Sequence, residues 1–241
     1  MQPRDAVRAL EHSRRHGGAA GRGEHMAGYG LMGLTFDSGD VLAFRCFTAS
    51  SIGPPYRSIW HRRPDGRWVI HTNVEPSRGC PRYFGPALDA YDVDDIEISW
   101  NGPAEISIAA ARSRLHVAMR LAATPLTRLL GAASNAAPDA ILQRRRAGSV
   151  AGGILGAGPL SLAGTAPSGH QFLIRPRALW RVAAAAAVIE GRDAGPVVVM
   201  SQQTELGGFL IPRRGLFATG RVRFIGPSDA APVLQNGSSE H

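Results

Sequence analysis

Residues 95–121 alternate between apolar and polar side chains, which is the pattern of β-strands with one buried face. In the first run, Ile96, Ile98 and Trp100 alternate with acidic and hydroxyl residues, and two further runs repeat the alternation with isoleucine, valine, methionine and leucine. Three such runs in succession predict an antiparallel meander with one face in solvent. Because a sheet must bury its apolar face, this segment predicts a mainly β fold.

The register of this meander depends on the turn Asn101-Gly102-Pro103. A two-residue Asn-Gly turn would pair Ile98 with Glu105, whereas a three-residue loop pairs Ile98 with Ile106. Because the hydrophobic pattern sets the register, the three-residue loop is predicted.

A second hairpin is predicted around Pro64-Asp65-Gly66, a sequence typical of a type I turn followed by a left-handed glycine. A three-residue loop, which we favour, pairs Ile59 with His71 and places His61 and His71 on one face. If Asp65 and Gly66 alone formed the turn, His71 would move to the face of Trp60.

A helical insert is predicted at about residues 124–157. Thr124-Pro125 is a helix-opening pair. A second helix is expected from Pro138-Asp139 through the run Arg144-Arg145-Arg146. Three glycines spaced four residues apart permit close packing of this helix within the domain: Gly148, Gly152 and Gly156.

Further strands are predicted on both sides of the insert. Residues 41–48 form an apolar run broken only by Arg45, and residues 216–225 form the last clear strand. Pro167-Ser168-Gly169 predicts another hairpin. Residues 178–190 are ambiguous, since their alanines favour helix, but their tryptophan, valines and isoleucine lead us to predict two short strands.

The predicted domain organisation is a flexible basic segment at 1–25, a single β-rich domain at 26–226 and a disordered tail at 227–241. Within the first segment, a short helix from Pro3 is expected, followed by a glycine-rich linker. Met26 opens the apolar section and is a candidate start of the chain.

All 27 basic residues are arginine, because the chain contains no lysine. This excludes Schiff-base catalysis, which needs a lysine amine, and a Walker-type phosphate loop, which ends in Gly-Lys-Ser/Thr. Such a composition is typical of GC-rich genomes, so a bacterial source is expected. The N-terminal residues contain no apolar leader, so a cytoplasmic location is expected.

The formal net charge of +8 raises the alternative of binding to nucleic acid, to anionic lipid or to a protein partner. Nucleic-acid recognition needs a clustered basic face, whereas these arginines are scattered apart from pairs and the run at 144–146. Nucleic acid is therefore not a favoured partner, and peripheral membrane contact stays open.

Several short patterns do not carry chemistry on their own. Residues 28–33 match the dinucleotide pattern G-x-G-x-x-G, but no helix start follows, so a glycine-rich entry to the first strand is predicted, without a cofactor. Cys46 and Cys80 lack the spacing of a zinc site. An acidic cluster is predicted to form a solvated turn rather than to supply a general acid: Asp89, Asp92, Asp94 and Asp95.

The densest polar and aromatic stretch is 56–84. Histidine exchanges protons near neutral pH, so His61 and His71 are candidate catalytic proton donors on a strand face that borders a cavity. With Glu75 they have the ligand types of a metal site, but no metal is predicted because strand histidines more often cap a sheet face. The candidate ligand contacts are Trp60, Trp68, Tyr83, Arg57 and Arg82.

The segments 96–102, Ile-Glu-Ile-Ser-Trp-Asn-Gly, and 60–68, Trp-His-Arg-Arg-Pro-Asp-Gly-Arg-Trp, resemble the lipocalin-like barrels of the carotenoid-hydratase and related cyclase group. The resemblance covers the strand pattern of about residues 29–225, and no catalytic residue is transferred from it. It implies an antiparallel barrel or strongly curved sheet that binds an isoprenoid- or polyketide-like compound. Acid–base hydration, isomerisation or cyclisation would then be expected if the protein is an enzyme, which the residues leave open.

Overall fold

The computed structural model describes residues 1–12 and 23–227. The helices are α1 (Pro3–His12), α2 (Pro81–Phe84), α3 (Pro125–Ala136), α4 (Asp139–Leu142) and α5 (Arg145–Leu155). Short 3-10 turns lie at Pro76–Arg78 and Gly85–Ala87. The strands are β1 (Glu24–Phe36), β2 (Val41–Ser50), β3 (Tyr56–Arg62), β4 (Trp68–Thr72), β5 (Ala90–Val93), β6 (Ile96–Trp100), β7 (Glu105–Ala110), β8 (Leu115–Ala122), β9 (Ala163–Thr165), β10 (Gln171–Ile189), β11 (Arg192–Asp193), β12 (Val197–Val198), β13 (Glu205–Leu206), β14 (Phe209–Leu210) and β15 (Leu216–Ile225).

Thirteen of the strands in the described residues form one sheet, with the main order β5-β4-β3-β2-β1-β15-β10-β8-β7-β6. All its strand pairs are antiparallel except β4 with β5. The predicted mainly β class is confirmed, and the sheet is strongly curled.

The curl encloses one apolar core, which we call the inner cluster. Leu31 of β1 and Phe44 of β2 belong to the same cluster as Ile106 of β7, although these strands are far apart in the sheet order. Arg57 of β3 donates from Nη1 to the carbonyl oxygen of Ile96 on β6, at 2.5 Å. The two ends of the sheet are therefore brought close together around the inner cluster.

A second apolar core, the outer cluster, lies on the opposite face of the sheet. Trp60 of β3 and Phe224 of β15 pack there with Phe84 of α2 and Phe209 of β14. The outer face is thus covered by segments that come from distant parts of the chain. These segments form the roof of the site described below.

The predicted register of the hairpin at 64–66 is confirmed. Ile59 pairs with His71 and His61 pairs with Val69. The three-residue loop ends at Gly66, whose φ of +93° is in the left-handed region that glycine adopts freely. Both histidines therefore lie on one face, as the three-residue loop requires.

The predicted register of the meander is wrong by two residues. Ile98 pairs with Ile108, not with Ile106, and Trp100 takes the place opposite Ile106. The loop is three residues long but starts at Gly102, because Asn101 still donates its backbone N–H to Glu105. A shift of two residues keeps the isoleucines on the same face, so the apolar pattern does not distinguish the two registers.

The helical insert begins as predicted. The Oγ1 of Thr124 accepts a hydrogen bond from the backbone N–H of Thr127, and the Thr127 side chain accepts one in return. The second predicted helix is interrupted, since α4 ends before the arginine run and α5 begins within it. A Cβ at Gly148 or Gly152 would lie within 2 Å of the backbone oxygen of Leu160 or Gly158, respectively. The predicted close packing is therefore confirmed, against the segment that follows the helix.

The segment 178–190 is strand, as predicted, but it forms part of one long strand, β10, rather than two short ones. The helix expected from Pro3 is present as α1, and it packs Val7 and Leu10 into the inner cluster, so this part of the N-terminal segment is held on the core. Most of the predicted linker and tail lies outside the described residues.

Candidate functional site

A cavity of about 120 Å³ lies between the outer face of the sheet and the segments that cover it. Its floor comes from β1, β2, β3, β10 and β15, and its roof comes from α2 and from residues 160–162 and 209–212. A cavity of this order holds a ring the size of benzene. The helices at 124–157 do not line it, although α3 packs directly on β10, where Asn135 donates to the carbonyl oxygen of Arg177.

The glycines of the G-x-G-x-x-G pattern lie within β1 and not in a phosphate-binding loop. A Cβ at Gly28 would lie 2.1 Å from the backbone oxygen of Cys46, and one at Gly30 would lie 2.0 Å from that of Phe44. Both positions therefore require glycine for the close approach of β1 and β2. Gly28 and its pairing partner Gly220 form part of the cavity floor.

Two residues on the cavity wall combine burial with unused hydrogen-bond donors. Arg45 on β2 is 8% exposed, and Trp60 on the neighbouring β3 is 2% exposed. The guanidinium carbon of Arg45 lies 4.9 Å from the centre of the Trp60 ring, within range of a cation–π interaction. Neither Nη2 of Arg45 nor Nε1 of Trp60 has a hydrogen-bond partner.

Arg45 is held by main-chain groups at an irregularity in the β1–β2 ladder. Its Nη1 donates to the carbonyl oxygens of Leu31 and Phe44, next to the point where the register shifts. None of the ion pairs among the described residues includes Arg45. Burial lowers the pKa of Arg45 to about 10, so the guanidinium remains charged at neutral pH.

The wall around Arg45 contains a phenol, that of Tyr56, whose acidity is very low. Burial raises the pKa of Tyr56 well above its usual value, and the nearby Cys80 raises it further. The Tyr56 hydroxyl lies 3.3 Å from Sδ of Met26 and 3.7 Å from Sγ of Cys80, which also accepts a hydrogen bond from Ser58. No carboxylate occurs among the described residues that line the cavity, where the charged residues are Arg45 and Arg221.

Tyr83 closes one side of the cavity from α2. Its ring stacks on Phe224, with 3.7 Å between ring centres, and its hydroxyl donates to Glu24. Arg82 donates from Nη2 to the same carboxylate at 2.6 Å. Burial alone would raise the pKa of Glu24, but the hydrogen bonds from Arg82 and Tyr83 outweigh burial, and the pKa is lowered. Arg82 therefore anchors the cover rather than lining the cavity.

His61 and His71 lie on the opposite face of the sheet from the cavity. Side chains alternate along a strand, so Trp60 faces the outer cluster while Ile59 and His61 face the inner side. The two imidazole rings are 6.4 Å apart. The expectation that these histidines face a ligand is corrected for this cavity, since neither lines it.

The two buried histidines each lie beside an aspartate. Nε2 of His61 lies 2.7 Å from Oδ1 of Asp40, whose other oxygen accepts a hydrogen bond from Ser38 at 2.7 Å. Nδ1 of His71 lies 3.6 Å from Asp92 and has no hydrogen-bond partner. Burial lowers the pKa of His71, and the Asp92 carboxylate offsets only part of this effect. These contacts link the β1–β2 turn to β3, and β4 to β5, at one end of the curled sheet.

The remaining predicted contacts stabilise the fold around the cavity. Trp68 is buried in the outer cluster and donates from Nε1 to the carbonyl oxygen of Glu205, but it does not line the cavity. Arg57 faces away from the cavity, towards Ile96. Asp94, which was grouped with a solvated turn, is buried and accepts hydrogen bonds from the backbone N–H groups of Arg112 and Ser113.

Of the predicted contacts, the structure brings Trp60 and Tyr83 to the cavity. Arg45 was not predicted as a site residue, although one signal was present, since it is the single charged residue in the apolar run 41–48. The roof residues 160–162 and 209–212 had no such signal. Their position depends on contacts between segments that are distant in the sequence.

Two features are absent from residues 1–12 and 23–227. No group of three or more histidine, cysteine, aspartate or glutamate side chains is placed to hold a metal ion. No helix in this part of the chain is long and apolar enough to cross a membrane.

Comparisons with known proteins show weak structural similarity. No family profile and no curated protein matches the sequence. Among solved structures, an acetoacetate decarboxylase from Legionella pneumophila subsp. pneumophila str. Philadelphia 1 matches with 9% identity and a TM-score of 0.38, over 85% of each chain. A similarity at this level supports no statement about activity, and the site is interpreted from its own geometry.

Proposed function

We propose that this protein binds a small hydrophobic compound in the cavity between the curled sheet and its cover. The observation that carries this proposal is an apolar cavity with few polar groups, which is the usual form of a small-molecule site. Its aromatic wall includes Trp60, Tyr83, Phe172 and Phe209. Such rings bind apolar groups by dispersion and by removing their surface from water.

The size of the cavity limits the compound. A volume of about 120 Å³ accommodates one ring or a short chain. An isoprenoid- or polyketide-like ligand is compatible with the proposal if only one end of it enters, with the rest at the open side of the cavity. The part bound inside is then a ring-sized apolar group.

Acid–base hydration, isomerisation or cyclisation remains a prediction of the sequence and is not part of the binding proposal. His61 and His71 would need a ligand on the other face of the sheet. Native mass spectrometry and organic extraction of the purified protein, followed by assays of His61→Gln and His71→Gln, would test this chemistry directly.

Binding can be tested with neutral probes and a blocking variant. Toluene and octanamide are expected to bind the purified protein, as measured by isothermal titration calorimetry or by changes in methyl NMR signals. Leu162→Trp should abolish this binding, because residue 162 lines the cavity. Leu129→Trp is the matched control, since Leu129 is 65% exposed on α3. Binding that survives Leu162→Trp would place the probes elsewhere and would contradict the proposal.

A second candidate function is contact with an anionic membrane surface. The helical insert exposes four large apolar side chains, and Arg128, Arg144 and Arg146 on the same insert are also exposed. Apolar and basic side chains together are typical of an interfacial segment. The four apolar residues are Leu129, Ile141, Val150 and Ile154.

Vesicle flotation would test this second function. The protein should bind vesicles that contain phosphatidylglycerol more strongly than vesicles of phosphatidylcholine alone, and added salt should weaken this binding. Leu129→Ser with Val150→Ser should reduce it, whereas Val199→Ser, at another exposed apolar position, should not. Equal binding to both kinds of vesicle would contradict an anionic lipid partner.

A further inference from the structure

We infer that the ligand of the cavity is a small hydrophobic monocarboxylic acid, whose carboxylate binds the guanidinium of Arg45. This inference rests on the proposed function, since it names the chemical class of compound that the same cavity takes. It starts from Arg45, a buried charge whose Nη2 has no hydrogen-bond partner.

A buried arginine without an anion is unusual because moving a charge out of water carries a large cost unless the charge is paired. Other arginines of this protein have such partners, for example Arg82 with Glu24 and Arg175 with Asp139. Around Arg45 the available groups are two carbonyl oxygens, an aromatic ring, a phenol and a thiol. None of these groups is a carboxylate, and no carboxylate occurs among the described residues that line the cavity.

The free donors of the site match the acceptors of one carboxylate. Nη2 of Arg45 and Nε1 of Trp60 both lack an acceptor, and both residues line the cavity. A carboxylate has two oxygens that accept hydrogen bonds, and arginine is well suited to bind it. A neutral amide of the same shape would leave the guanidinium charge uncompensated.

The rest of the wall defines the remainder of the ligand. The other charged residue on it, Arg221, is exposed, and the floor and roof around Arg45 are aromatic or aliphatic. A ligand with one acidic group and one ring-sized or short-chain apolar group fits this distribution of polarity. A second charged group on the ligand would find no charged partner in the cavity other than the exposed Arg221.

The test compares acids with amides of the same shape. Benzoate and benzamide form one pair, and octanoate and octanamide form another. Calorimetry at pH 7.5 should show that the wild-type protein binds each acid about ten- to a hundredfold more tightly than its amide, the range expected for a hydrogen bond between charged groups. Equal affinity for acid and amide would overturn the inference while leaving the binding proposal intact. Binding of neither compound in either pair would overturn both.

Variants assign the preference to Arg45. Arg45→Gln should remove the preference for the acid, whereas Arg57→Gln should keep it. Arg57 is a matched control because it lies on β3, next to the strand of Arg45, and also donates to a main-chain oxygen. Its side chain faces away from the cavity. A preference that persists in Arg45→Gln would overturn the inference. If Arg45 only secured the strand, its replacement would lower stability without changing the ratio of the two affinities.

An NMR measurement on the wild-type protein avoids dependence on the folding of the Arg45 variant. The indole N–H signal of Trp60, assigned with Trp60→Phe, should shift when benzoate is added and should shift less with benzamide. An indole signal that stays unchanged when benzoate is added would contradict the inference that Nε1 of Trp60 donates a hydrogen bond to the ligand.

Discussion

The guanidinium of Arg45 and the indole of Trp60 are stacked on neighbouring strands, and each retains a buried N–H group without an acceptor. A charged donor and a neutral donor are thus available at one place in an otherwise apolar wall. We expect Trp60→Phe to weaken the binding of benzoate about two- to tenfold, because it removes one neutral hydrogen bond but keeps an aromatic ring. Calorimetry would measure this, and an unchanged affinity would show that the indole N–H does not take part.

The buried His71 predicts a specific dependence of stability on pH. Because burial lowers its pKa in the folded protein, the unfolded chain binds a proton more readily. As the pH falls below about 6.5, the ordinary histidine value, this difference lowers the free energy of unfolding. His71→Gln should therefore lose less stability than the wild type between pH 7.5 and pH 5.5 in denaturant unfolding. His116→Gln, at an exposed position on β8, serves as control, and equal losses in His71→Gln and wild type would contradict this assignment.

The hydrogen bond between His61 and Asp40 predicts a stability defect without a binding defect. Both side chains are buried and 2.7 Å apart, so Asp40→Asn should lower the free energy of unfolding by about 1–3 kcal/mol by disturbing a buried hydrogen bond. The affinity for a cavity probe should not change, because this hydrogen bond lies on the other face of the sheet. Asp65→Asn, in an exposed pair with Arg67, should leave stability unchanged. A loss of probe binding in Asp40→Asn at a temperature where the variant remains folded would contradict the separation of the two sites.

Two neighbouring glycines of α5 should respond oppositely to alanine. At Gly152 a Cβ would lie 1.8 Å from the backbone oxygen of Gly158, so Gly152→Ala should destabilise the protein by about 2 kcal/mol or more through displacement of the main chain. At Gly153 there is open space, so Gly153→Ala should stabilise it by about 0.5–1 kcal/mol through helix propensity. Thermal and denaturant unfolding of both variants would test this. Similar effects at the two positions would contradict the packing of α5.

The N-terminal helix should contribute to stability. Val7 is 1% exposed in the inner cluster, so Val7→Ala should lower the free energy of unfolding by about 2 kcal/mol, since two methyl groups are lost from a packed site. The adjacent Arg8 is exposed, and Arg8→Ala should have an effect within about 0.5 kcal/mol. If both variants unfolded like the wild type, α1 would not be held on the core.

The sequence-based predictions were accurate for features that local interactions decide. They were less accurate for features that depend on contacts between distant parts of the chain. The hairpin at 64–66 was predicted correctly because its register depends on a local turn with a glycine at φ of +93°. In the meander, a shift of two residues keeps the same isoleucines buried, so the pattern defined the faces but not the pairing of Ile98. The alanine-rich part of β10 is strand because pairing with β8 and β15 overrides its helical propensity.

The cavity could be predicted only in part. The sequence placed His61 and Trp60 on opposite faces, but it did not indicate which face would be covered with space beneath the cover. That depends on residues 160–162 and 209–212, which are more than 90 positions away from β3 and pack there through tertiary contacts. Arg45 was visible as a charge within an apolar run, but the absence of a carboxylate beside it depends on tertiary packing, such as the contact of Phe84 on α2 with Trp60.

The walls of the cavity differ in how they are attached. The floor belongs to strands joined by continuous ladders of main-chain hydrogen bonds. The roof consists of short segments held by single bonds, such as those from the backbone N–H of Ile174 to the carbonyl oxygen of Leu162 and from the backbone N–H of Leu210 to Oγ of Ser161. Displacement of the roof would open the cavity while leaving the ladders between the floor strands intact. For the ligand proposed above, entry and exit would require movement of the roof alone, while Arg45 stays fixed on the floor strands.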